Sequence, residues 1–163
     1  ASVRSRLISE EDMVKQASEF AGTVPVRHLL PYWKTGNRYL FSGGSVNMRD
    51  AAVYAKEENW SKAVELWKQT YETKKGKQKM YAAYNTALGY EMQDSIDTAL
   101  EWALKAQTLA REKSKTDKKE TGEIHDGTIS YYIFISMYVD ELEKRKEGMA
   151  RLNMQMNRFD DDF

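Results

Sequence analysis

MRDAAVYAKEENWSKAVELW (residues 48–67) and YNTALGYEMQDSIDTALEWA (residues 84–103) are one pattern written twice, 36 positions apart. Ala51 matches Ala87, Tyr54 matches Tyr90, and Ala63 matches Ala99. Between them Asn59 matches Ser95, Trp60 matches Ile96, and Val64-Glu65 matches Leu100-Glu101; Met48 and Tyr84 are paired large residues. A period in this range points to stacked supersecondary units. In each copy a small residue and a Tyr three on are followed, after a polar turn, by a second Ala. Small residues let two helices approach closely, and the Tyr rings fill the space beside that contact. Glu58-Asn59 and Asp94-Ser95 supply turn and N-cap chemistry for each second helix.

Working outward, the pattern predicts helices over 46–57, 60–74, 78–92 and 96–113, paired as hairpins 46–74 and 78–113. Gly76 with Lys74, Lys75, Lys77 and Lys79 marks the turn between hairpins. Upstream, Ser9 followed by Glu10, Glu11 and Asp12 reads as a helix cap. Met13, Ala17, Phe20, Ala21 and Val24 then recur at helical spacing until Pro25. Residues 32–45 read as a loop with a short extended piece at Arg38–Phe41. Downstream, Arg111–Glu123 reads as a frayed helix end and loop. A last helix is expected over about 126–153, with Ile129, Tyr132, Ile133, Ser136, Met137 and Val139 as its apolar face, and a disordered tail over 154–163. The whole is one all-α domain spanning 1–163.

Composition agrees. Two prolines and nine glycines in 163 residues, with abundant Ala, Glu, Lys, Leu and Met, favour helix. Lys plus Arg and Asp plus Glu both number 25, so no net field draws nucleic acid or anionic lipid. The longest apolar stretch, near Tyr131–Val139, is too short to span a bilayer. Absence of cysteine excludes disulfides, thiolate metal sites and a Cys nucleophile. The chain opens at Ala1 rather than Met, as a processed start or an expressed fragment would.

The repeated residues resemble tetratricopeptide repeats (TPR). Ala51, Tyr54, Ala63 and Trp67 stand at the family's small, Tyr, Ala and aromatic positions, and Ala87, Tyr90 and Ala99 repeat the first three. Ala103 replaces the second aromatic, Lys75 and Arg111 stand where Pro is usual, and Glu58 and Asp94 replace the turn Gly. The resemblance implies a TPR-like α–α superhelix, flanked here by an N-terminal helix and a long C-terminal capping helix. A second resemblance rests on Pro31-Tyr32-Trp33, Arg38-Tyr39, Trp60-Ser61-Lys62-Ala63, Leu66-Trp67, Asn85-Thr86-Ala87-Leu88 with Glu91, and Ala99-Leu100-Glu101-Trp102-Ala103. That order is similar to a group of bacterial envelope lipoproteins with a helical C-terminal half. It implies export to the periplasm or outer membrane and a lipid anchor on a Cys near the mature start; with no Cys in this sequence, the anchor is expected to be either absent or outside this chain.

Catalytic signals are weak. His28 and His125 are the only histidines and form no two-His metal motif. No glycine-rich phosphate loop or nucleophile elbow is present. Glu57/Glu58 and Asp94/Asp97 fall in turns and caps, where carboxylates are solvated or structural. The expectation is a non-enzyme with no cofactor, no metal and no nucleic-acid partner. Ala51, Tyr54, Ala63, Trp67, Ala87, Tyr90 and Ala99 are expected to be structural, and Trp102 core.

In TPR-like stacks the first helix of each hairpin lines a concave face that binds extended peptides. Carried over here, the lining is Met48, Ala52 and Lys56, then Tyr81, Tyr84, Leu88 and Glu91, a mixture of aromatic surface with one cation and one anion. Two repeats cannot bury their own outer faces, so the last helix could instead fill the groove and make Tyr81 and Tyr84 core. Asn85 and Glu91, if buried, need partners, and Arg38 is a plausible one. The expected function is a protein- or peptide-binding scaffold in a bacterial envelope assembly. The alternative is a small-ligand or glycan-binding accessory component of an outer-membrane uptake system, with Trp33, Tyr81 and Tyr84 as its platform.

Overall fold

The computed structural model describes residues 29–32, 38–121 and 130–161. Strands β1 (Leu29–Tyr32) and β2 (Arg38–Phe41) pair antiparallel, Leu29 opposite Phe41 and Tyr32 opposite Arg38. Helices follow as α1 (Val46–Lys56), α2 (Trp60–Thr73), α3 (Lys77–Met92), α4 (Ile96–Thr121) and α5 (Tyr131–Asp161). The described chain is thus essentially all-α, with one short ribbon. The expected helix over 9–24, the start of the last helix near Asp126, and Trp33, His28 and His125 lie outside the described residues.

The 36-residue repeat is written in the backbone. Asn59 N–H donates to Tyr54 O at 2.8 Å and Ser95 N–H to Tyr90 O at 2.9 Å. Glu58 N–H donates to Ala55 O and Asp94 N–H to Glu91 O, both at 3.0 Å. Among the described residues, the non-glycine positions with positive φ are Glu58 and Asp94, at 59° and 61°. Each ends its helix in the left-handed conformation that a C-terminal turn needs, without the usual glycine. Ala51, Ala63, Ala87 and Ala99 are all fully buried, as close helix contact requires. Tyr54 and Tyr90 are half-buried, each under a lysine, Lys62 and Lys68 respectively.

Each helix packs on the next in chain order, and α3 ends up in the middle. Its buried set runs almost unbroken from Met80 to Gly89 and includes Glu91, the signature of a helix covered all round. Gly89 makes this possible on the α2 side. A Cβ there would lie 2.4 Å from Val64 Cγ2 and 3.2 Å from Trp67 Cζ3. Trp67 is fully buried beneath that contact.

Two boundaries differ from expectation. Helix α4 continues to Thr121 rather than fraying at 113, and α5 continues to Asp161 where a disordered tail was expected from 154. Both stretches lack Gly and Pro and consist largely of straight-chain or polar residues. Such residues carry a helix forward at small cost once nucleated. The apolar face of α5 also differs. Tyr131, Ile135, Tyr138, Val139 and Leu142 are buried, while Ile133 and Met137 are about half exposed. This helix is apolar on two sides, and the side with two tyrosines, whose hydroxyls find polar partners inside, is the one that turns inward.

Candidate functional site

The face expected to be an open groove is filled by the chain's own flanks. Strand β2 lies along α3 as an extended segment. Asn85 holds it by the backbone: Phe41 N–H donates to Asn85 Oδ1 at 2.9 Å, and Asn85 Nδ2 donates to Phe41 O at 2.7 Å. The Phe41 ring stacks on Tyr81 at 4.1 Å and meets the edge of Tyr84 at 5.2 Å. From α5, Tyr131 and Phe134 close the same aromatic pocket. The Tyr81 and Tyr131 hydroxyls share a hydrogen bond, and burial pushes the Tyr81 phenol up despite it.

At the other end of the strand sits Glu91, with no exposed side-chain surface. It accepts from Arg38 Nε at 2.8 Å and Nη2 at 3.0 Å, a bidentate pair. Tyr138 OH donates to it at 2.8 Å and Arg145 Nη1 at 2.6 Å. Burial alone would raise the Glu91 carboxyl, but the bonds and charge of Arg38, then Arg145 and Tyr138, outweigh it and hold the group below the usual carboxylate range. Arg38 is buried too; desolvation opposes its charge, yet Glu91 keeps it above its ordinary value. Tyr84 and Tyr138 stay neutral, pushed up chiefly by burial. One carboxylate thus ties the ribbon, α3 and α5 together.

The expected groove residues therefore require correction. Met48, Tyr81, Tyr84, Leu88 and Glu91 are buried, and Ala52 nearly so. Only Lys56 remains exposed. The physical reason is that two hairpins leave a large apolar face, and the ribbon and α5 are attached to cover it. Among the described residues no cluster of His, Cys, Asp or Glu could hold a metal ion, and no helix is long and apolar enough to cross a membrane. Open depressions are also present among the described residues. One of about 760 Å³ runs along α2 by Asn47, Val64, Lys68 and Glu72. One of about 440 Å³ lies between the start of α4 and α5, by Asp94, Ile96, Asp97, Lys146 and Met149.

Helix α5 carries a feature the sequence reading missed. Its first half packs antiparallel on α4, with Tyr132 near Arg111, Ser136 near Gln107 and Lys146 near Asp97. From Lys146 to Asp161 every residue is exposed. Yet Met149, Leu152, Met156 and Phe159 keep a three-four-three apolar spacing there. The signal was present: Ile135, Leu142, Met149 and Met156 stand seven apart, as do Tyr138, Arg145, Leu152 and Phe159. The stripe that is core in the first half is solvent-exposed in the second, and Arg145, closing on Glu91, marks the change.

No curated protein and no solved structure matches the chain. Residues 1–41 match a domain of unknown function, DUF8603. Residues 49–144, which take in most of the repeated helices, Glu91 with its partner Tyr138, and the packed half of α5, match a second, DUF6340, and the chain belongs to that family.

Proposed function

We propose that this chain is a non-enzymatic, TPR-like α–α superhelix that works by binding protein, as a scaffold within a bacterial cell-envelope assembly. The observation that carries this reading is the exposed second half of α5, with Met149, Leu152 and Met156 on its surface. A sixteen-residue helical stretch that exposes Met149, Leu152 and Met156 along one stripe is costly to leave in water and is suited to meeting another helix. The filled groove supports the same view. A concave face that grips its own strand through Asn85 and Glu91 is committed to holding that strand, so binding moves to the projection. The envelope location rests on the resemblance to the envelope lipoproteins, and a lipid anchor, if the protein has one, lies beyond this chain. Burial of Tyr81 and Tyr84 counts against the small-ligand or glycan platform.

The test places a photo-crosslinking amino acid at Leu152 in bacterial cells, with Glu147, on the far side of the same helix, as control. Discrete protein adducts from position 152 and none from 147 are expected. Equal adducts from both, or none from either, would refute a protein-binding seam.

A further inference from the structure

Helices α2 and α4 and the first turn of α3 share a basic and aromatic face that neither the ribbon nor the Glu91 clamp uses. Tyr71 meets Trp102 edge to face at 5.0 Å, and lysines from three helices surround the pair. Lys105 Nζ stands 4.0 Å from the Trp102 ring centre and 5.9 Å from that of Tyr71. Lys79 Nζ lies 4.6 Å from the Tyr71 ring centre. Lys68 Nζ is 5.9 Å from the rings of both Trp102 and Tyr90, and donates to the Tyr90 hydroxyl at 3.4 Å. We propose that this face docks an acidic segment of a partner protein, whose carboxylates bridge Lys68, Lys79 and Lys105.

Charge selects the partner. Lys68 stands four residues before Glu72, and Lys105 four after Glu101, spacings at which helical ion pairs form. Yet none of the three ammonium groups comes within 4.0 Å of a carboxylate among the described residues. Each turns to an aromatic ring instead. A ring occupies one side of an ammonium and leaves N–H donors on the other for an incoming acceptor. Two of the three border the same Tyr71 ring, so neighbouring carboxylates of a single segment reach both. The exposed Lys74 and Lys75 of the adjoining turn add to the local field and speed encounter with an anion.

A phosphate polymer or a bilayer fits less well. Glu65, Glu72 and Glu101 are exposed on the same two helices. The lysines therefore form an island rather than the continuous basic track that nucleic acid follows. Trp102 is buried and Tyr71 half-buried, each beside lysines, so neither ring is free to stack a base or enter a lipid headgroup layer. Beside Lys68, the 760 Å³ depression along α2 has Val64 in its lining and suits an apolar side chain of the kind a protein segment carries. The face shares no residue with the exposed stripe of α5, so the scaffold can hold two proteins at once.

Anisotropy of a fluorescently labelled oligo-glutamate peptide, titrated with the full chain, tests the proposal. An oligo-glutamine peptide is the control, and a single-stranded oligonucleotide and phosphatidylglycerol vesicles are the competitors. The glutamate peptide should bind, the glutamine peptide should not, and added salt should weaken the complex. Lys68→Gln, Lys79→Gln and Lys105→Gln together should weaken binding about tenfold, the product of three exposed ion pairs. The charge-matched set Lys56→Gln, Lys62→Gln and Lys115→Gln should change it by less than about twofold, and both variants should keep the wild-type melting temperature. Absence of binding by the glutamate peptide overturns the proposal. Equal weakening by the two variants does so too, since it would mark attraction to the whole surface. If the oligonucleotide or the vesicles bind the site more tightly than the peptide, the face belongs to phosphates and the proposal fails. Cross-linking from Leu152 is independent of these results, so either surface can fail alone.

Discussion

Removing the Glu91 carboxylate is the most informative single change. Glu91→Ala leaves Arg38, 5% exposed, with its charge buried and unpaired. Taking one partner from a buried ion pair costs about 3–5 kcal/mol. Tyr138 also loses its acceptor, a penalty of about 1–3 kcal/mol on its own. Arg145, about a third exposed, recovers water and contributes little. These losses share one site and do not add, so about 3–5 kcal/mol is expected in all, a drop of roughly 2 × 10²- to 5 × 10³-fold in the folding equilibrium constant. Urea titration followed by far-UV circular dichroism measures it. Glu91→Leu combined with Arg38→Met should recover much of the loss, since an apolar replacement removes both desolvation penalties. Acid gives a second axis. The folded carboxyl titrates below its unfolded value of about 4.5, so Glu91 stabilises fully above that value. Its contribution falls as pH drops through the folded value. The gap between wild type and Glu91→Ala must therefore narrow on acidification below about pH 4.5. A loss under about 1 kcal/mol at neutral pH, or a gap that does not change with pH, would refute the clamp as a determinant of stability.

Gly89→Ala should destabilise by about 1–3 kcal/mol, because the added methyl drives Val64 and Trp67 off their packing; a neutral thermal shift would show that α2 can move aside. Asn85→Leu strands the Phe41 N–H and C=O in the core and should cost about 2–4 kcal/mol. Amide exchange at Phe41 should rise before that of α3, and simultaneous exchange would mean the ribbon is not separately held. Trp67→Ala should cost about 3–5 kcal/mol, read from the urea midpoint. A variant with an unchanged midpoint would remove Trp67 from the core. Ala99→Leu tests the helix crossing, with about 1–3 kcal/mol expected from overpacking.

The repeat was legible because its determinants are local. Ala51/Ala87 and Ala63/Ala99 specify close approach through size alone, and the polar pairs at 58–59 and 94–95 specify turns. The four central helices follow within a residue or so at most of their ends. Asn85 and Glu91 stood out as polar residues on an otherwise apolar helix, and Arg38 as a candidate counter-charge, since buried polar groups require partners. The filling of the groove was one of two readings, because neither the ribbon's position nor the docking angle of α5 is written in a spacing. Tyr138 and Arg145 were missed for that reason. Their role depends on which side of a two-faced helix turns inward. The exposed stripe was missed by treating 154–163 as a tail, although the seven-residue spacing through Ile135, Leu142, Met149 and Met156 crosses that boundary unbroken.

Glu91 also sits midway between its partners in the chain, 53 residues after Arg38 and 54 before Arg145. The helix hairpins close over short loops, and such contacts form early in folding. The clamp has to close two long loops, one from each side. During synthesis the paired helices can therefore form while α5 is still in the ribosome, with Glu91 satisfied from one side only. The ribbon then carries half of the clamp until the last arginine emerges. A ribosome stall, or a stop codon, before residue 145 leaves a nascent chain with its repeats built and its aromatic face uncovered, a form that holdase chaperones and proteases would recognise.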